Sequence, residues 1–214
     1  MSEETPGTGL RELKKQRTRQ ALSDTAIELF LKRGFDEVSV ADVAAAVEVS
    51  KPTLFRYFPT KEDLALHRIS DHQGEAARVV RERCAGEAPL AALRTHFHER
   101  LDARDPVTGL CDVPEVLAYR DLLYSTPSLQ ARLMLYSAED ERVLAEALAE
   151  TGPADEVTAK LAAAQIVAVH HVLARTNWRR LAADRLTGAM VRTAHADADR
   201  AFDLLDSGLS AISR

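Results

Sequence analysis

Apolar residues recur along this chain at helical spacing nearly from end to end. Over about residues 10–33, Leu22, Ala26, Leu29 and Phe30 fall on one stripe, and Gly34 stands where a helix would end. Ser39 reads as the N-cap of a short helix through Val47, because its hydroxyl can accept from free N–H groups of the first turn. Ser50 caps a second short helix, with Pro52 in the first turn, where a missing N–H is harmless. Pro59 stops that helix and Thr60 caps another, beginning at Lys61. The pattern predicts further helices at about 61–84, 89–103, 113–123, 127–150, 155–176 and 187–210. Thirty-five alanines occur, largely in these segments, Gly and Pro fall mostly between them, and no alternating β-branched run competes. The expected fold is all-α.

The segments 39–47 and 50–58 are separated only by Glu48 and Val49. Val40, Val43, Ala44, Val49, Leu54 and Phe58 supply apolar positions that would seal the pair against the first helix. This is the size and spacing of a helix-turn-helix, whose second helix enters the major groove of DNA. With those residues assigned inward, Lys51, Thr53, Phe55, Arg56 and Tyr57 remain to face outward. Lys and Tyr suit phosphates, whereas Thr, Arg and methyl groups suit base edges.

Charge first argues against that reading and then supports it. The 214 residues carry 28 Lys and Arg against 33 Asp and Glu, a net charge of −5. Residues 1–60 hold nine of each sign, so the whole deficit lies in residues 61–214, with nineteen basic and twenty-four acidic side chains. Within 10–19, Arg11, Lys14, Lys15, Arg17 and Arg19 face a single Glu12, a local surplus of four that attracts an anionic polymer whatever the global sum. The 46% hydrophobic content suffices for a core, and two cysteines make no disulfide scaffold. No signal-like apolar run precedes the charged start, so the cytoplasm is the expected location.

The run Arg17–Thr18–Arg19, then Ala26–Ile27–Glu28–Leu29–Phe30 and Arg33–Gly34–Phe35, resembles the opening of a TetR-family repressor. So does VSVADVAAAVEVSKPTLFRYFPTKEDL, from Val38 to Leu64; the resemblance covers about residues 14–66. It implies a helical homodimer, with a DNA-binding domain at 10–60 and an effector-binding and dimerisation domain at 61–214. It further implies a repressor of a palindromic operator that a small molecule releases. The resemblance places Ser50, Lys51, Pro52 and Thr53 at the groove-facing start of the recognition helix, and Tyr57 and Lys61 on backbone phosphates. Ser39 takes the cap position where Thr is more common, and Phe55 replaces the usual Tyr, losing a hydroxyl. Arg17 and Arg19 would reach phosphates or an adjacent minor groove, and Arg56 completes the candidate DNA-contacting set.

In the later part, the segment 157–173 is apolar on nearly every side, and Val191, His195, Ala198, Phe202, Leu205 and Leu209 recur at spacings of four and three. Two such helices per chain would form a four-helix dimer interface that includes Leu161, as is usual for the family, with the small residues Ala164, Ala168 and Ala198 permitting close approach. Candidate ligand-lining residues are Phe97, Leu101, Val116, Tyr119, Leu123, Met134, His170 and Trp178. The stretches 125–150 and 177–183 are similar to actinobacterial regulators related to mycofactocin-associated repressors, some of which respond to fatty acyl-CoA. That similarity implies a fatty acyl-CoA or another hydrophobic effector.

Other chemistry finds little support. His67 and His72, His96 and His98, and His170 and His171 lack the i,i+4 spacing of a helical zinc pair, and no nearby Cys completes one. Cys84 and Cys111 form no Cys-x-x-Cys pair, and no phosphate loop or nucleophile elbow occurs. The expectation is a protein with no catalytic site, metal or cofactor, and no membrane partner. Two other readings stay open: a DNA-binding regulator or activator without an effector, and a helical protein-interaction module that does not bind DNA.

Overall fold

Side-chain caps set the helix starts near the N-terminus. The computed structural model describes residues 6–208, with side chains from residue 13 onward. It contains α1 (Pro6–Arg33), α2 (Val40–Ala46), α3 (Lys51–Tyr57), α4 (Lys61–Ser70), α5 (Glu75–Glu82) and α6 (Pro89–Asp102). A 3-10 turn (Pro106–Thr108) precedes α7 (Pro114–Ser125), α8 (Pro127–Thr151), α9 (Glu156–Ala183) and α10 (Gly188–Gly208). Among the described residues there is no strand, and the fold is all-α. Ser39 and Asp42 form a reciprocal capping box at α2, and Thr60 and Asp63 form another at α4.

One expected helix is two. The segment read as continuous over 61–84 stops at Ser70 and restarts at Glu75. Gly74 takes φ +69, and its N–H donates to the Asp140 carboxylate at 2.9 Å. Gly74 is the N-cap of α5, past the end of α4, and glycine takes the left-handed conformation without a Cβ penalty.

Packing divides the chain into two units, one reaching Asp71 and including 121–132, the other formed by 72–120 and 133–214. The first unit includes residues beyond the 60/61 division that the resemblance implies. Within it α4 packs along α1: Ser23 Oγ donates to the Leu64 carbonyl at 2.9 Å, and Arg68 pairs with Asp24 at 2.8 Å. Its buried core contains Leu22, Ala26, Phe30, Val43, Leu54, Phe58 and Leu64.

In the second unit, α6, α8, α9 and α10 enclose a core that includes Phe97, Leu101, Leu144, Ile166, Ala198 and Phe202. The 3-10 turn seats against α9, where Asn177 donates to the Thr108 carbonyl at 3.0 Å. Gly109 is required there: its φ is +74, and a Cβ would lie 2.0 Å from the Ala174 carbonyl oxygen. Helix α9 is long and apolar enough to cross a membrane by length and composition, yet nine of its residues are buried within the protein.

Candidate functional site

The helix-turn-helix is built by short-range hydrogen bonds over a buried seam. After α2, Glu48 adopts φ +55, and the Val49 N–H returns to the Ala44 carbonyl at 2.9 Å, which turns the chain within three residues. Ser50 Oγ accepts from the Thr53 N–H at 3.2 Å and lies 2.7 Å from Thr53 Oγ1. Leu54 and Phe58 are buried, while Lys51, Pro52, Phe55 and Arg56 are exposed and Tyr57 is half-buried. The hydroxyls of Ser39, Ser50 and Thr53 are thus engaged in caps. Their first role is to start helices, and any DNA contact uses their remaining capacity. Both Asp42 hydrogen bonds from Ser39, through its side chain and its backbone, hold the Asp42 carboxyl below its usual value.

On α1, Arg17 is exposed, and the Arg19 guanidinium lies 5.2 Å from the Phe58 ring centroid. Arg19 therefore braces α3 as well as offering charge. Lys61 departs from the phosphate role read from the resemblance. Its ammonium donates to the Phe35 carbonyl and sits 4.2 Å from the Phe35 ring centroid and 5.6 Å from that of Phe30. The side chain ties the start of α4 to the end of α1 instead of projecting outward.

The ligand candidates separate. Phe97, Leu101 and His170 come together in the second unit: the His170 and Phe97 rings stack at 5.4 Å, and Leu101 belongs to the same core. Tyr119 is buried, and Val116 and Trp178 are half-buried, in that unit. Leu123 is buried in the first unit, and Met134 is 73% exposed, so neither shares the core around His170. Among the described residues, His170 Nε2 is buried without a hydrogen-bond partner. Burial, reinforced by His171 and His96, pushes His170 down to about 4, so its ring is neutral at pH 7.

The interface candidates also separate. Ala198, Phe202 and Leu205 on α10 point into the core of their own unit and leave no surface for a second chain. They fit the helical spacing because that spacing marks any buried stripe, whichever body covers it. His195 is engaged within the unit: its Nδ1 lies 2.7 Å from His98 Nδ1, and its Nε2 lies 3.1 Å from Asp102. Val191 is half-buried, and Leu209 lies outside the described residues. On α9, by contrast, Leu161 is 59% and Val172 64% exposed, Ala168 is exposed and Ala164 half-buried, and Val157 extends the stripe.

Glu75 organises a polar cluster beside this core. It accepts from His72 Nδ1 at 3.1 Å, His96 Nε2 at 3.0 Å and Arg100. Burial alone would raise its carboxyl, but these donors outweigh burial and hold it well below the usual carboxylate range. Among the described residues, no group of three His, Cys, Asp or Glu is arranged to hold a metal.

Residues 22–67, which include the helix-turn-helix, match the family model of bacterial regulatory proteins of the tetR family. Over that stretch the chain is similar to the tetR family. It is 38% identical over 144 residues to the HTH-type transcriptional regulator TcmR of Streptomyces glaucescens, covering 67% of this chain and 64% of TcmR. The alignment thus spans slightly under two thirds of that relative. A protein of Mycobacterium tuberculosis named as a mycofactocin biosynthesis transcriptional regulator, MftR, is 28% identical over 204 residues, covering 90% of this chain and 91% of MftR. The crystal structure of NalD, the secondary repressor of the MexAB-OprM multidrug efflux pump in Pseudomonas aeruginosa, superposes with a TM-score of 0.54 at 17% identity. It covers 91% of this chain and 96% of NalD, and shows the shared fold.

The first unit contains one link that the sequence pattern does not reveal. Arg132, on α8, donates through Nε to Asp63 Oδ1 at 2.9 Å, while the other carboxylate oxygen holds the Thr60 cap. A residue 69 positions away therefore completes the start of α4. Its only local signal is an Arg in a helix rich in charge, which is indistinguishable from solvated surface.

Proposed function

We propose that the chain is a cytoplasmic, homodimeric, sequence-specific DNA-binding transcriptional repressor, not an enzyme, released from a palindromic operator by a small apolar or amphipathic ligand. The observation that carries this reading is the outer face of α3. Lys51 and Arg56 offer cations beside exposed Pro52 and Phe55, while Leu54 locks the other side of the helix into the core. Cations beside small apolar surfaces suit a major groove, where phosphates flank base edges. The tetR-family match over 22–67 and the naming of TcmR and MftR as transcriptional regulators support the same reading.

A palindrome requires two recognition helices related by a two-fold axis. The exposed stripe Val157–Leu161–Ala168–Val172 on α9 suits the self-complementary contact. A ligand in the second unit would sit beside His170, whose buried neutral Nε2 would gain a partner from a polar group on an otherwise apolar molecule. A fatty acyl-CoA is one candidate of that chemistry. Coupling to DNA cannot run along a single helix from Lys61, because α4 ends at Ser70. Residues 121–132 belong to the unit that contains the helix-turn-helix, and both α7 and α8 run from them into the rest of the chain, which makes these helices better carriers than the segment after α4.

The test is selection of duplex DNA from a random pool by the purified chain, followed by binding at several salt concentrations. The expected result is a palindrome with half-sites about 34–36 Å apart, or a multiple, and strongly salt-dependent affinity. No selected sequence and no salt-dependent duplex binding would overturn the proposal in favour of a protein-interaction module. Since coupling is reciprocal, a ligand that lowers operator affinity must itself bind less tightly to the DNA complex.

A further inference from the structure

We infer that Phe55 and Pro52 recognise thymine in the operator through its 5-methyl group. This rests on the DNA-binding reading above and specifies how α3 selects sequence. The polar groups at the start of α3 are largely committed: Ser50 Oγ accepts from the Thr53 N–H and lies 2.7 Å from Thr53 Oγ1. What α3 leaves exposed is two cations, Lys51 and Arg56, and two apolar groups, Pro52 and Phe55. Phe55 is 41% exposed, although Leu54 and Phe58 on either side of it in sequence are buried.

Pro52 has no N–H to give, and the Phe55 ring has no hydroxyl, so neither can read a base by conventional hydrogen bonding. The thymine methyl is the apolar group by which the major groove distinguishes its base pairs, and an apolar side chain is its natural complement. The Lys51 ammonium lies 5.9 Å from the Phe55 ring centroid. That neighbour supplies charge complementarity to the phosphates on either side of a contacted base. Specificity on this face therefore comes from methyl contacts by Phe55 and Pro52, with Lys51 and Arg56 supplying attraction.

The test uses the full-length protein and the operator selected as described above. Each thymine is replaced singly by uracil, which removes one methyl and leaves the base-pairing edges intact. Losing contact with one buried methyl lowers affinity about fourfold per half-site, and about sixteenfold when the palindrome is altered symmetrically. The loss should occur at one or two thymines per half-site. Phe55→Ala should abolish the penalty at the thymine under the ring, while Phe55→Leu should retain part of it. A chain that binds its selected operator yet shows no uracil penalty, or shows one unchanged by Phe55→Ala, overturns the inference and leaves DNA binding intact. Failure to select any duplex overturns both. The uracil arm uses the unaltered protein, so it does not depend on how a variant folds.

Discussion

Removing Arg132 should loosen the recognition domain from a position 69 residues beyond the carboxylate it holds. Arg132 approaches Asp63 Oδ1 through two nitrogens, at 2.9 and 2.8 Å, and the Asp63 side chain is only 6% exposed. Stripping one partner from a fully buried ion pair costs about 3–5 kcal/mol, because a desolvated charge is left behind. Two features reduce that figure here. Asp63 Oδ2 keeps its hydrogen bonds from the Thr60 N–H and hydroxyl, and Arg132 is itself partly exposed. Arg132→Ala should therefore destabilise the unit by about 2 kcal/mol. Native-state hydrogen exchange at the Leu64, Ala65 and Leu66 amides reads this directly, as about thirtyfold less protection. Because Thr60 and Arg132 share one carboxylate, Thr60→Ala and Arg132→Ala should be non-additive, and Arg132→Ala should cost much less in an Asp63→Asn background. Unchanged exchange in Arg132→Ala, or an equal loss in both backgrounds, would refute the reasoning.

Three further outcomes are expected. Lys51→Ala should weaken DNA binding and reduce its salt slope by about 0.9 if it removes one phosphate contact, whereas Lys61→Ala should lower thermal stability and leave that slope unchanged, because Lys61 points inward. Leu161→Glu should produce monomers in analytical ultracentrifugation with the helical spectrum retained, while Phe202→Ala should cost about 3–5 kcal/mol in urea unfolding; the reverse assignment would place the interface on α10. His170 titrates at about 4 when folded and near 6.5 when unfolded, so the unfolded chain takes up the proton first. Stability should fall by about 3 kcal/mol between pH 6.5 and 4, and His170→Phe should flatten that part of the pH profile.

Local sequence rules located what local forces build. Ser39, Ser50 and Thr60 cap the helices they were expected to cap, since a cap needs only a hydroxyl and an N–H two or three residues away. The seam of the helix-turn-helix was also legible, because Val43, Leu54 and Phe58 repeat at the spacing of two short helices on one core. Distance along the chain hid the rest. Lys61 carries the same charge whether it meets a phosphate or the Phe35 carbonyl, and only the fold, which brings the end of α1 beside it, decides between them. Periodicity had the same blind spot on α10, where Phe202 and Leu205 mark a buried face without saying which body buries it.

The break after Ser70 has the widest consequence. Apolar spacing continues through it, so a pattern that averages over several turns reads one long helix over 61–84. Instead α4 ends at Ser70, residues 71–74 form a turn, and left-handed Gly74, whose N–H donates to the Asp140 carboxylate, starts α5. Three covalent routes then lead out of the first unit: this turn, helix α7 where it crosses from Arg120 to Asp121, and helix α8, whose first residues include Arg132. A turn transmits little torque, whereas a helix moves as a body. Any signal reaching the helix-turn-helix should therefore be more sensitive to changes in α8, at Arg132, than to changes around Gly74. Lengthening the turn by one glycine should leave ligand-induced DNA release intact, and Arg132→Ala should blunt it. The opposite ranking would return the signal to the segment that follows α4.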